Sequence, residues 1–211
     1  MRAQKIISSL ISINSIKINL KNPFVWASGW KSPIYCDNRI SLSYPRIRDN
    51  ITSQLVNKIN SNFKKIDAIA GVATAGIPQA SLVAKELNLP LVYVRSNAKK
   101  HGMKNMIEGD LKINSNVLVI EDLISTGGSS LKAIDAIKLR KCNILGLACV
   151  FNYSFEISKK NFESNNVKVI SLCNYYDLIE FAKINKIISS KEIGFLENWR
   201  KNPNNWRSSD D

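Results

Sequence analysis

The stretch that most constrains how this chain folds is Val117 to Ser130, VLVIEDLISTGGSS. Its four opening apolar residues, rich in β-branched side chains, predict a buried strand. Two adjacent carboxylates follow, Glu121 and Asp122, and then a turn of Ser, Thr and Gly. Beyond the turn, SLKAIDAIKLR sets Leu131, Ile134, Ala136, Ile137 and Leu139 at helical spacing. A strand that feeds a small-residue turn and a helix start gathers backbone N–H groups suited to a phosphate. The carboxylates would repel phosphate, yet they accept hydrogen bonds from sugar hydroxyls. Together the two features predict a sugar-phosphate site. A Walker loop would end in Gly-Lys-Ser/Thr, and this turn has Gly-Gly-Ser-Ser. A dinucleotide fingerprint would follow the strand directly, and here two acids intervene.

The rest of the chain predicts what surrounds that site. Residues 3–13 have helical periodicity and Ile16 to Leu20 alternate as a short strand. The segment FVWASGWKSPIYCDNR, Phe24 to Arg39, is dense in aromatics and turn formers, which predicts a small hood beside the main domain. A helix from Pro45 carries Ile47, Ile51, Leu55, Val56 and Ile59 on one face. Strands are predicted at Ile66–Val72, Leu91–Val94, Ile144–Phe151 and Val167–Leu172. Helices are predicted at Ile77–Leu87, Phe155–Phe162, Tyr176–Ile184 and Ser190–Lys201. Near-continuous apolar strands alternating with helices argue for an α/β fold, a central mostly parallel sheet flanked by helices. The 211 residues suit a single domain, with the hood mainly in 1–43 and the core, closed by C-terminal helices, in 44–211. Ligands of such sheets lie beyond the carboxyl ends of the strands. That rule draws Gly71–Gly76, Arg95–Gly109, Glu121–Ser130 and the start of the segment after Phe151 into one site.

Two of those segments have chemistry of their own. In AIAGVATAGIP, the turn Ala73, Thr74, Ala75 and Gly76 could present N–H groups to a pyrophosphate, although a plain strand-to-helix turn reads equally well. VRSNAKKHGMKNMIEG holds Arg95, Lys99, Lys100, His101 and Lys104, and His101 is the chain's one histidine. Loops of this length in compact domains tend to be lids or binding loops. Cations on a lid would neutralise a departing pyrophosphate, and closure would exclude water.

Composition narrows the partners. Thirty Lys and Arg against seventeen Asp and Glu give a formal charge of +13. The basic residues are scattered rather than bunched on one helix, so nucleic acid is not expected. Cys36, Cys142, Cys149 and Cys173 show no C-x-x-C pairing, which predicts buried, reduced thiols and no metal cluster. No apolar run has the length of a membrane span, and Ser8, Ser9 and Ser12 interrupt the first helix where a signal peptide would be continuous. A cytoplasmic location with no membrane partner is expected.

The motifs also carry a resemblance. VLVIEDLISTGGSS resembles the phosphoribosyl-pyrophosphate signature of the type I phosphoribosyltransferases. Arg-x-x-x-Lys-x-His-Gly from Arg95, and Ser-Gly-x-x-Ser-Pro-x-Tyr from Ser28, resemble the catalytic loop and the hood of that family's orotate branch. The resemblance implies a type I phosphoribosyltransferase-like fold. It also implies magnesium-dependent transfer of ribose 5-phosphate from phosphoribosyl pyrophosphate to orotate, as in pyrimidine biosynthesis. Arg95, Lys99 and His101 would meet the pyrophosphate. The run Glu121, Asp122, Leu123, Ile124, Ser125, Thr126, Gly127, Gly128 and Ser129 would bind the ribose 5-phosphate part, with the two acids on the ribose hydroxyls and Thr126 to Ser129 on the 5-phosphate. Ser125, Tyr35 and Lys31 would approach orotate, and Lys99 and Asp122 would be catalytic. Mg2+ would arrive with phosphoribosyl pyrophosphate rather than on dedicated protein ligands, and a homodimer would share its active sites across the interface. The chain departs at Ser96, where many relatives carry a basic residue, and at Ala27 and Ala75, where some carry a lysine. FNYSF, Phe151 to Phe155, lacks the arginine that some relatives turn toward orotate. An RNA-binding regulator on the same fold would have no use for the hood, and a purine-base enzyme would lack both SGWKSP and AKKHG.

Overall fold

The computed structural model of the chain describes residues 2–26, 28–96 and 106–206. Seven α-helices and ten strands are seen among them. The first helix, α1 (Arg2–Ser12), buries Ile6, Ile7 and Leu10. The hood follows as β1 (Ile16–Ile18), β2 (Phe24–Val25), β3 (Lys31–Ser32) and β4 (Ile34–Cys36), then a 3-10 turn, Asn38–Ser43. Within it β1 pairs antiparallel with β4, and β2 with β3. Although α1 lies in the segment expected to be mainly hood, it joins the main core beside the C-terminal helices.

The core begins with α2 (Pro45–Asn62), opened by a proline at the first helical position, where its missing N–H costs no hydrogen bond. Then come β5 (Ala68–Val72), α3 (Gly76–Leu87), β6 (Leu91–Val94), β7 (Ile107–Glu108), β8 (Asn116–Ile124), α4 (Gly128–Leu139), β9 (Asn143–Asn152), α5 (Glu156–Ser164), β10 (Val169–Asn174), α6 (Tyr175–Ile184) and α7 (Ser190–Lys201). Six strands form one sheet in the order β10-β9-β8-β5-β6-β7. All neighbours are parallel except β7, an antiparallel edge strand on β6.

Period-two alternation divides the core into two layers. On β8, Leu118 and Ile120 face the layer that holds α1, α2, α3, α6 and α7, while Val117 and Val119 face the layer of α4 and α5. The same split separates Ile69 of β5 from its neighbours Ala68 and Ala70. Each fully buried Ile or Leu contributes on the order of 1.5–3 kcal/mol, so covering both faces is what makes the parallel sheet stable.

An aromatic cluster ties the hood to the core. Trp26 packs 4.8 Å from Tyr153, Tyr153 stacks 5.7 Å from Phe155, and Phe155 lies 5.4 Å from Trp199 of α7. Trp199 is fully buried, and its indole N–H donates to the carbonyl of Lys31 at 3.2 Å. The last helix thereby holds the hood over the carboxyl end of β9.

Candidate functional site

β8 outruns β5. Their pairing ends at Gly71 opposite Ile120, whereas β9 accompanies β8 as far as Ile124 opposite Asn152. The two acids were expected just after the strand. They lie inside it, because the ladder with β9 continues through Glu121. On the open side of this overhang sits the turn Ala73–Gly76. The sheet order also reverses here: β5 leads to β6 on one side, and the chain then crosses back to β8 on the other. In open α/β sheets the crevice at such a switch point is the usual ligand site.

Two helices start in the crevice, and neither has a side-chain cap. α3 begins after Ala75 and α4 after Gly127. By contrast α6 and α7 begin with full capping boxes, Asn174 with Asp177 and Ser189 with Glu192. Uncapped first-turn N–H groups with the positive end of a helix dipole form a ready site for phosphate oxygens. Gly127 takes a φ of +83°, and a Cβ there would lie 2.6 Å from the Phe162 ring. A Cβ on Gly76 would lie 2.7 Å from the carbonyl oxygen of Ile120 and 3.1 Å from Glu121 Oε1. Glycine at 76 is what allows α3 to start hard against β8.

Glu121 is 4% exposed and joins the two helix starts. Its Oε2 accepts from Ser130 Oγ of α4 at 3.2 Å, and its Oε1 accepts from the Asp122 N–H at 3.2 Å. Burial pushes the Glu121 carboxyl well above its ordinary range, and the adjacent Asp122 charge adds to the effect. Asp122 is also raised, by burial, against the lowering influence of its hydrogen bonds to Glu121 and to backbone N–H groups. The two acids therefore favour holding a proton between them, with Glu121 the deeper partner. From the hood, Asn38 Nδ2 donates to the Asp122 carbonyl at 2.8 Å and anchors the 3-10 turn to the strand end.

A cavity of about 310 Å3 opens over these groups. Its walls are Ala73 to Ala75, the whole run Glu121 to Ser130, and Cys36, Asp37 and Arg39 from the hood. Two larger hollows, about 430 Å3 beside α5 and about 450 Å3 between α6 and α7, lack this convergence of acids and helix starts. Every expected residue from Glu121 to Ser129 lines the cavity, although Ile124 is 1% exposed and belongs to the core. Gly76 stands just behind the wall. Tyr35 and Lys31 sit in the hood strands and do not line it; Tyr35 packs against Phe24 at 5.4 Å. Arg95 stands at the foot of the basic segment, where its Nη1 donates to Glu108 Oε1 at 3.2 Å and its backbone N–H to Met106 O at 2.9 Å. Lys99 and His101 lie outside the described residues.

Asp37 and Arg39 are not among the residues the sequence singles out, although a charged pair spaced i, i+2 directly after the hood strand is the available signal for both. Ser130, at the end of the expected Glu121–Ser130 segment, lines the cavity as expected. Among the described residues no group of three or more His, Cys, Asp or Glu could hold a metal ion. Two neighbouring carboxylates do suit a magnesium ion that keeps its waters and takes most of its ligands from substrate phosphates.

A phosphoribosyl transferase domain profile matches residues 42–183, which include every core element of this crevice. Full-length relatives agree. The chain is 51% identical over 201 residues, 95% of this chain and 96% of the relative, to a protein of Porphyromonas gingivalis named orotate phosphoribosyltransferase. The chain belongs to the orotate phosphoribosyltransferases, within the phosphoribosyltransferase family. A Listeria innocua protein of the same name is 46% identical over 203 residues, 96% of this chain and 97% of that one. Among solved structures, Leishmania donovani UMP synthase superposes with a TM-score of 0.78 at 25% identity, covering 94% of this chain and 43% of that one. Orotate phosphoribosyltransferase from Aeropyrum pernix shares the fold with a TM-score of 0.71 at 23% identity, covering 83% of this chain and 97% of that one. No helix among the described residues is long and apolar enough to cross a membrane.

Proposed function

We propose that this crevice transfers ribose 5-phosphate from phosphoribosyl pyrophosphate to a ring nitrogen of orotate, releasing pyrophosphate and orotidine 5′-monophosphate. The observation that carries this reading is the acid pair Glu121–Asp122 set between two uncapped helix starts beneath a hood. One start, at Gly127 to Ser129, with Thr126, would hold the 5-phosphate. The other, at Ala73 to Gly76, would take the pyrophosphate. Asp122, the less buried acid, would hold the ribose hydroxyls and receive or give a proton, while Glu121 keeps it in place.

Breaking the anomeric bond builds positive charge on the ribose ring and negative charge on the leaving group. An acid pair under the ring stabilises the first, and N–H groups with cations stabilise the second. Arg95, Lys99 and His101 are proposed for the leaving-group side, with Lys99 the catalytic cation. In support, the basic segment departs at Arg95 and returns at Met106 beside the β5 edge of the crevice. Magnesium, brought with the pyrophosphate, would add charge neutralisation there. Ser125, Tyr35 and Lys31 are proposed for orotate. A homodimer, in which Lys99 and His101 serve the partner's site, and a cytoplasmic location belong to the same proposal. The test is loss of orotate ultraviolet absorbance with phosphoribosyl pyrophosphate and magnesium, with hypoxanthine and uracil as controls. Turnover of hypoxanthine instead of orotate would overturn the choice of acceptor.

A further inference from the structure

The cavity contains three acids, Asp37, Glu121 and Asp122, and the acceptor proposed for it is itself an anion. Among the described residues Arg39 is the cationic side chain in its wall. FNYSF, which approaches the hood from β9, supplies no cation. Resting on the orotate reading above, we infer that Arg39 binds the carboxylate of the anionic pyrimidine and sets the preference for it over a neutral pyrimidine.

Three observations place Arg39 on the acceptor side. First, its guanidinium is fixed: Nε donates to Asp37 Oδ1 at 2.7 Å and Nη2 donates to Asp37 Oδ2 at 2.8 Å. A planar fork held this way at one edge keeps its remaining N–H donors for a second carboxylate. Second, the base of the fork is immobilised. The Asp37 N–H donates to the Ser15 carbonyl at 2.8 Å, and the Ser15 hydroxyl donates to the Asp37 carbonyl at 2.7 Å. Asn38, between the two charged residues, is bolted to Asp122. Third, Arg39 lies three residues past the hood strand that holds Tyr35, and it shares the cavity wall with Asp122. The guanidinium thus stands where the hood meets the ribose-facing acid. Its side chain is 60% exposed, at the cavity rim, where an entering ligand would meet it.

The test compares wild type with Arg39→Gln and Arg39→Lys in steady-state kinetics with orotate, uracil and phosphoribosyl pyrophosphate. In Arg39→Gln the orotate KM should rise at least ~10-fold, the scale of a charged hydrogen bond left unmade. The KM for phosphoribosyl pyrophosphate should stay within about twofold, and the kcat/KM preference for orotate over uracil should fall with the orotate KM. Arg39→Lys should fall between, keeping charge without the fork. An unchanged preference in both variants, or a rise confined to the phosphoribosyl pyrophosphate KM, overturns the inference. If Arg39→Gln is insoluble, the preference of Arg39→Lys decides alone, an unchanged ratio counting against it. A wild type that does not turn over orotate sinks the underlying reading instead, and the inference with it.

Discussion

Gly76→Ala sets two opposed effects against each other, and their magnitudes decide the sign. Helix propensity favours alanine by up to ~1 kcal/mol over glycine. Gly76 has no positive φ that would penalise a side chain. The new Cβ, however, would lie 2.7 Å from the Ile120 carbonyl oxygen, and ordinary contact begins near 3.4 Å. The difference, 3.4 − 2.7, requires a retreat of 0.7 Å. The obstacle is backbone in the middle of a parallel sheet, so the start of α3 must be what moves. Overpacking of this kind costs about 1–3 kcal/mol, which exceeds the propensity gain. We therefore expect a net loss of roughly 1–2 kcal/mol, read by urea denaturation. The displaced turn also carries Ala73 to Ala75, and a misplacement approaching 1 Å lowers kcat by about 10- to 100-fold. Gly194→Ala in α7 is the control. A Cβ there meets nothing within 4 Å, so the same substitution should stabilise by roughly 0.5–1 kcal/mol. If Gly76→Ala were as stable and as active as wild type, the close approach of α3 and β8 would not matter and the reasoning would be wrong.

Three other outcomes are expected. Lys99→Ala should raise the barrier by at least ~2 kcal/mol, and an unchanged turnover number would remove the lysine from the mechanism; mixing it with Asp122→Asn in equal amounts should regain about a quarter of wild-type activity if sites are shared across a two-fold dimer. Because burial raises the Glu121 carboxyl above its ordinary 4.5, the folded chain holds that proton more tightly than the unfolded chain. Wild type should therefore be most stable relative to Glu121→Gln in acid and lose ground as pH rises above 4.5, and denaturation midpoints that move in parallel would contradict this. Trp199→Ala empties a fully buried site and removes the bond to Lys31, so it should cost about 3–5 kcal/mol and raise the orotate KM more than that of phosphoribosyl pyrophosphate.

Much of this protein was written in local pattern. The apolar run before Glu121, the helical spacing from Leu131 and the alternation of strands with helices are short-range signals, and each became the expected element with ends shifted by a few residues. The acid pair and the small-residue turn were equally visible, because the chemistry of a strand-to-helix turn is carried by consecutive residues. What the sequence could not determine were relations between distant residues. That β8 outruns β5, and so carries its acids within the strand, depends on where the partner strands stop. That Gly76 is held to glycine depends on a carbonyl forty-four residues away at Ile120. The docking of Trp199 on the hood, and the entry of Asp37 and Arg39 into the cavity wall, follow from packing of buried aromatic area and from one hydrogen bond between Asn38 and Asp122. Periodicity records which face of an element is apolar; only tertiary packing decides which element it meets.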